Sequence, residues 1–299
     1  MTPRLLLRMT RPGFLSITVV ACLLGFASAA PTACAVSLPM MLAITALAVL
    51  AHAAANVVND YYDFLNGGDD QNDTAIAPFT GGARLIQHRI VSAAATRRLA
   101  GILFAAAAVA GLTILPRPDA MLIAIGGTGL LLAWGYSAPP LRLMTRGLGE
   151  TAVSAAWMLV VAGAAIAVCP AAAGTAMRSS LGFGLMLANI LLVNEFPDAA
   201  ADARVGKRTL VVRLGPPASA RLVTLLVIMA HGLPWLWIWS GRLPSGVALS
   251  ALSLPLALSG ARALARDLDR PRMLRPAIVR TIAAAHLYGL TLGAGLLLG

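Results

Sequence analysis

Apolar runs of membrane length recur along the chain, at roughly 14–30, 38–58, 99–115, 120–138, 151–168, 180–196, 219–239, 245–264 and 277–298. A helix of about 20 apolar residues crosses a hydrocarbon core of roughly 30 Å. The pattern therefore predicts nine transmembrane helices. Hydrophobic residues fill 59% of the 299 positions and charged residues only 12%, about half the charged share of a soluble domain. No linker, low-complexity tract or soluble domain interrupts the runs. The expectation is an all-α, polytopic membrane protein, one domain over residues 1–299.

The basic residues orient these spans. Of the 22 arginines and one lysine, only Arg117, Arg178 and Arg242 fall on the side opposite the N-terminus. The rest precede the first span or lie in the stretches at 59–98, 139–150, 197–218 and 265–276 and their margins. The positive-inside rule then makes the N-terminus and these loops cytoplasmic, leaves the C-terminus outside, and places the chain in the cell (inner) membrane. Topology and anionic inner-leaflet lipid account for the net charge of +11, so no nucleic-acid partner is implied. The N-terminal stretch resembles a signal peptide, with Ala27-Ser28-Ala29 as a cleavage site. Cleavage would leave eight spans and turn the basic loops outward, so an uncleaved first helix is expected. The three cysteines show no metal spacing; Cys34 and Cys169 both fall near the outer face, which leaves a disulfide open. Trp235, Trp237 and Trp239 end the seventh span as an interfacial aromatic belt.

Eight of the twelve acids lie in two clusters, both at cytoplasmic helix ends. "NVVNDYYDFLNGGDD" (56–70) and the residues just after it carry Asp60, Asp63, Asp69, Asp70 and Asp73. "NEFPDAAAD" (194–202) carries Glu195, Asp198 and Asp202. The motifs N-x-x-x-D-x-x-D and N-x-x-x-D-x-x-x-D start 138 residues apart, weak support for an internal duplication. On a helix, residues four apart share a face: His52, Asn56 and Asp60 form one column, Asn59 and Asp63 an adjacent one, and Asn194, Asp198 and Asp202 another. Two columns facing each other would place four or more carboxylates together, a set that repels itself without cations. Hard oxygen ligands, waters and a bound phosphate suit Mg²⁺. Basic residues follow both clusters: Arg84 and Arg89 after the first; Arg204, Lys207, Arg208 and Arg213 after the second. The only lysine, Lys207, is a compact charge suited to phosphate oxygens.

Together, "NVVNDYYDFLNGGDD", "WGYSAPPLRLMTRGLGE" (134–150) and "NEFPDAAADARVGKRTLVVRLG" (194–215), in this order and with Arg11-Pro12 ahead of the first span, resemble the UbiA superfamily of intramembrane aromatic prenyltransferases over nearly the whole chain. The chain is most similar to the 1,4-dihydroxy-2-naphthoate polyprenyltransferase branch of menaquinone biosynthesis. It lacks the Lys-Arg pair that the 4-hydroxybenzoate branch carries after the central tyrosine. It departs from the naphthoate pattern in one place, where "NEFPD" stands for the common N-N-x-R-D. Transferases with other acceptors (4-hydroxybenzoate, chlorophyllide-like, glycerol-ether lipid) are the alternatives.

The resemblance implies nine helices around a central cavity open to the cytoplasmic side, an isoprenyl diphosphate donor, an aromatic acceptor, the lipid bilayer as surroundings, and Mg²⁺. It implies that Asp60, Asp63, Asp69, Asp198 and Asp202 hold the metal. Asn56, Asn59, Arg84, Asn194, Lys207 and Arg208 would bind the diphosphate, and Tyr136 would stabilise an allylic cation. His52, within a span, is expected to make a helix–helix hydrogen bond. A cation transporter is the rival class, but its acids belong near the midplane, and here every acid but Asp119 sits at a cytoplasmic end. A CDP-alcohol phosphotransferase would require an order of aspartates that this chain lacks.

Overall fold

The computed structural model describes residues 2–30, 32, 34, 36–68, 72–114 and 119–299. Among these there is no strand. Eleven α-helices follow one another: α1 (Pro3–Met9), α2 (Pro12–Ser28), α3 (Leu38–Asn66), α4 (Ala93–Ile114), α5 (Ala120–Gly135), α6 (Gly149–Val168), α7 (Ala173–Arg204), α8 (Leu210–Leu214), α9 (Pro216–Trp239), α10 (Leu254–Arg266) and α11 (Arg275–Leu298). Seven helices are long and apolar enough to cross a membrane. The chain is a multi-pass membrane protein.

Local sequence explains the helix ends. Pro12, Pro216 and Pro217 open helices where the missing N–H costs nothing. Ser37 caps α3 by accepting from the Met40 N–H, and Asp119 caps α5 by accepting from the Leu122 N–H at 2.8 Å. Arg11, in the left-handed region, turns α1 away from α2 by 66°. Two expected spans differ in form. The sixth, 180–196, is the core of a longer helix, α7, because alanine-containing sequence extends it at both ends, AGTAMRS before it and PDAAADAR after it. The eighth, 245–264, begins as a 3₁₀ segment (Ser245–Ser253) before α10. There Gly246 and Gly295 bring two backbones together so closely that no Cβ fits at either.

Successive long helices are neighbours, and α11 packs back against α2 to close a ring. One side of the ring is filled. Val20, Leu24, Phe183, Met186, Val227, Tyr288 and Leu292 form a core shared by α2, α7, α9 and α11. Two polar side chains there are paired: the Tyr288 hydroxyl donates to the Ala230 carbonyl, and the His231 ring meets Ser253 and the Val227 carbonyl, each at 2.8 Å. The other side, α3 to α6, is open within. Cys34, ahead of α3, is disulfide-bonded to Cys169 at the end of α6. His52 joins α3 to α2 through Thr18 Oγ1, 2.8 Å from its Nδ1. Leu112, Leu131, Ile228 and Leu297 point outward, as lipid contact requires, and Trp235 and Trp239 are exposed with them.

Candidate functional site

Helices α2 to α7 and α11 enclose a cavity of about 1040 Å³. Much of its wall is apolar, including Ile44, Leu47, Leu122, Ile125 and Val160. One end is polar: Asn56, Asn59 and Asp63 from α3, Asn194, Asp198 and Asp202 from α7, and Lys207 beyond α7. The segment from Asn72 to Ala83, between α3 and α4, contributes to the same end.

Lys207 joins the two helix ends. Its Nζ lies 3.2 Å from Asp63 Oδ1 and 3.4 Å from Asp202 Oδ1. Burial alone would lower its pKa, but the carboxylates of Asp63 and Asp202 outweigh that and hold the ammonium well above its ordinary value. Asp198 is held from the loop: Asn72 Nδ2 donates to its Oδ1 at 2.6 Å and the Gly81 N–H to its Oδ2 at 3.4 Å. Gly81 has φ +75°, and an added Cβ would lie 2.6 Å from that of Ala75, so this approach needs glycine. Pro197 lies inside α7, where its ring deprives the Val193 carbonyl of its helical donor. Its own carbonyl accepts from the Thr74 hydroxyl.

The other expected residues are placed differently. Asp60 is off the cavity wall; Arg11 Nη1 lies 3.7 Å from its Oδ1 and the Ala83 N–H donates to that atom at 3.4 Å. Asn56 donates to the Thr10 carbonyl at 2.9 Å, and Asn59 to Ser137 Oγ at 3.1 Å. Arg84 turns into its own loop, donating to the Gly81 and Asn72 carbonyls. Arg208 is exposed. Tyr136, which follows α5, lines the cavity. Asp69 lies outside the described residues. Asn72 and Thr209 were not among the expected residues, yet both line the polar end. The Asx turn at Asn72, whose Oδ1 accepts from the Thr74 N–H at 3.1 Å, was the signal for the first. For Thr209 it was adjacency to the lysine.

Among the described residues, no three carboxylate, histidine or cysteine side chains converge tightly enough to hold a metal ion alone. Mg²⁺ rarely uses such a cage; it takes one or two carboxylates together with waters and substrate phosphates. Asp63, Asp198 and Asp202 supply that donor type. The buried Oδ1 of Asn194, which has no hydrogen-bond partner, adds another hard oxygen. The residues fit the ion.

These features define a helical membrane protein with one long, largely apolar cavity whose polar end can take an anionic headgroup. The chain belongs to the UbiA prenyltransferase family, whose sequence profile matches residues 17–280. It is 27% identical to the 1,4-dihydroxy-2-naphthoate octaprenyltransferase of Mycobacterium tuberculosis over 81% of this chain and 82% of that one. Among solved structures, the apo form of a UbiA homologue from Aeropyrum pernix K1 superposes with a TM-score of 0.72 at 15% identity, covering 95% of this chain and 98% of the other. A UbiA homologue from Archaeoglobus fulgidus bound to DMAPP and Mg²⁺ gives 0.63 at 12% identity, covering 96% and 98%.

Proposed function

We propose that this chain is a Mg²⁺-dependent prenyltransferase. It moves an isoprenyl group from an isoprenyl diphosphate onto an aromatic acceptor, 1,4-dihydroxy-2-naphthoate, in menaquinone biosynthesis. The observation that carries this reading is the cavity, apolar along its walls for a prenyl tail and closed at one end by Asp63, Asp198, Asp202 and Lys207 for a diphosphate. The name of the Mycobacterium tuberculosis relative and the motifs shared with the naphthoate branch support the acceptor.

The full chain forms one domain with nine spans in the cell inner membrane. The bent pair α1–α2 and the shorter apolar α5 complete the seven long helices. The acidic end faces the cytoplasm with the N-terminus, and the C-terminus is outside. The basic loops support that orientation. So does the Cys34–Cys169 disulfide, at the far ends of α3 and α6 from the acids, because disulfides persist on the oxidising side of a membrane.

The headgroup binds between the two helix ends. Mg²⁺, when bound there, neutralises diphosphate oxygens. Asp63, Asp198 and Asp202 would hold it, with Asn194 and the α3 amides of Asn56 and Asn59 orienting oxygens around them. Asp60 fixes Arg11 and the loop at Ala83. Lys207, protonated throughout the neutral range, supplies positive charge to the leaving oxygen as the allylic C–O bond ionises. Tyr136 offers its ring face to the allylic carbon, and an electron-rich ring carbon of the acceptor attacks. Arg84 holds the loop in shape, while Arg208 adds positive potential at the mouth.

The test is an assay of the purified protein with prenyl diphosphates of several lengths and a panel of aromatic acceptors, with and without Mg²⁺. Metal-dependent transfer to the dihydroxynaphthoate is expected. Transfer to another acceptor only would overturn that part, and absence of prenyl-diphosphate binding would overturn the whole reading.

A further inference from the structure

Three of the four histidines lie within long helices, His52 on α3, His231 on α9 and His286 on α11. Two of them are fully occupied by the protein. His231 gives its Nδ1 hydrogen to the Val227 carbonyl and meets Ser253 Oγ through Nε2, each at 2.8 Å. His286 gives its Nδ1 hydrogen to the Ile282 carbonyl and meets Ser16 Oγ through Nε2, each at 2.9 Å. His52 is held on one side only. Its Nδ1 lies 2.8 Å from Thr18 Oγ1 of α2, and among the described residues its Nε2 has no hydrogen-bond partner. Polar groups in a finished core find partners. His52 lines the cavity instead, so its second nitrogen is available to whatever enters.

The bond to Thr18 decides what that nitrogen carries. Thr18 is fully buried, and its hydroxyl makes no other hydrogen bond among the described residues. A buried hydroxyl must donate its one hydrogen. Nδ1 is the acceptor in reach, so the proton of the neutral imidazole sits on Nε2 and the cavity is offered an N–H donor. The Trp157 ring of α6 stands 5.1 Å from the imidazole, at 90° to it, and lines the same cavity. Ala48, Ala51 and Ala55, the α3 neighbours of His52 on the wall, are small and leave room for a flat ring beside the donor. His52 precedes Asp63 by three turns of α3, roughly 16 Å at 1.5 Å per residue. That is too far for the headgroup held by Asp63, Asp202 and Lys207. An isoprenyl tail has no atom that accepts a hydrogen bond. An aromatic acceptor has several.

We infer that His52 binds the aromatic acceptor: its Nε2–H donates to a carboxylate or phenolic oxygen remote from the reacting carbon, while the Trp157 ring packs against the acceptor's ring system. This rests on the prenyltransferase reading and deepens it by naming the residue that selects the acceptor. The acceptor then lies between His52 and the allylic carbon, with its reacting carbon toward the acidic end. Thr18 acts through His52; it is a positioning residue that holds the tautomer and the ring plane. A compound with no oxygen at that place leaves the Nε2–H buried and unpaired. A site built around a donor rejects such a compound more strongly than an apolar pocket rejects one of the wrong size. This one bond therefore discriminates among aromatic acceptors.

The experiment uses the full-length protein and measures KM for 1,4-dihydroxy-2-naphthoate and KM for a prenyl diphosphate in His52→Phe, His52→Gln and Thr18→Val. The assay is repeated with acceptor analogues that each lack one oxygen. His52→Phe should raise the acceptor KM about five- to tenfold, the usual worth of one hydrogen bond, and leave the prenyl-diphosphate KM within about twofold. His52→Gln, whose side-chain amide restores an N–H donor, should recover most of that loss. For one analogue, the penalty seen with the unmodified protein should vanish in His52→Phe, because both changes remove the same bond. A role confined to joining α2 and α3 would lower thermal stability and leave the ratio of the two KM values alone. An unchanged acceptor KM in His52→Phe, or both KM values rising together, would overturn the inference. If His52→Phe does not fold, Thr18→Val, close to threonine in shape, takes its place, and an unmoved acceptor KM there overturns it. An unmodified protein that prenylates no aromatic acceptor would sink the transferase reading; one that does so with His52 indifferent sinks this inference alone.

Discussion

At the end of α3, Asn56 and Asp60 are tied to the N-terminal segment through Thr10 and Arg11, and Asn59 is tied to Ser137. At the end of α7, Asp198 is held by Asn72 and Gly81 from the loop that follows α3, while Asn194 has an oxygen with no partner at all. The two motifs have nearly the same spacing and both line the cavity, yet in the first an acid, Asp60, is tied away from it, and in the second an amide oxygen, that of Asn194, is buried and left unpaired. Their surroundings explain the difference. The most apolar stretch of α7 is 67% buried inside the protein, against 28% for α3. Asp60 on the more exposed helix finds Arg11 and the Ala83 N–H outside the cavity, whereas Asp63 and the two aspartates of α7 face into it. The repeated spacing supplies ligands; the packing decides which of them stay free.

The strongest test of this contrast is charge removal on the cavity wall. Asp63→Asn, Asp198→Asn and Asp202→Asn should each lower turnover on the order of 10² to 10³, comparable to losing one electrostatic stabiliser, with folded yield retained. Near-normal turnover in all three would remove the diphosphate end from this part of the cavity.

Lys207 pairs with an acid of each motif, Asp63 and Asp202. Lys207→Ala should slow the chemical step by about 10² while prenyl-diphosphate affinity falls less, since the charge matters most as the leaving oxygen develops. The neighbouring exposed Arg208→Ala should change turnover by less than about twofold. Because the folded-state pKa of Lys207 is raised, its ion pairs contribute fully below the unfolded value near 10.4 and are lost only as pH rises through the folded value. No break from this group should appear in stability curves between about pH 6 and 9. A break there in the unmodified protein that vanishes in Lys207→Ala would contradict the bridging geometry.

How much of this was legible in the sequence follows from what each signal depends on. Apolar length and basic asymmetry are local properties, so the spans were readable to within a turn at most ends. The spacing of four placed Asp63, Asp198 and Asp202 on helix faces, and the family motifs named them. What spacing cannot encode is the rotation of one helix against another, which left Asp60 beside Arg11 while Asp63, three residues on, entered the cavity. Nor could it show that Arg84 folds into its own loop, or that the loop reaches Asp198 through Asn72.

A subtler effect should come from that loop. Asn72→Ala removes the 2.6 Å hydrogen bond to Asp198 and the Asx turn that shapes the segment. Charge-assisted hydrogen bonds contribute about 1.5–3 kcal/mol, so a loss of roughly tenfold in kcat/KM is expected, carried mostly by KM for the prenyl diphosphate. Loss confined to thermal stability, with kinetics unchanged, would mean the loop supports the fold and not the site.

The smallest effect should belong to Asp60, and it bears most directly on the contrast between the two motifs. Asp60 has the position in the first motif that Asp198 has in the second, so sequence alone predicts equal consequences for their loss. The structure assigns Asp60 a pairing with Arg11 at 3.7 Å, long for an ion pair, with both side chains partly reached by solvent. The contact is long and Asp60 lies off the cavity wall, and the amide in Asp60→Asn retains an oxygen for the Ala83 N–H. Turnover should therefore fall by no more than about threefold, with part of the loss reproduced by Arg11→Gln and little further loss in the double variant, since both changes break one contact. A drop as deep as that of Asp198→Asn would mean that Asp60 turns inward when the diphosphate binds, and the two motifs would then be equivalent in the working state.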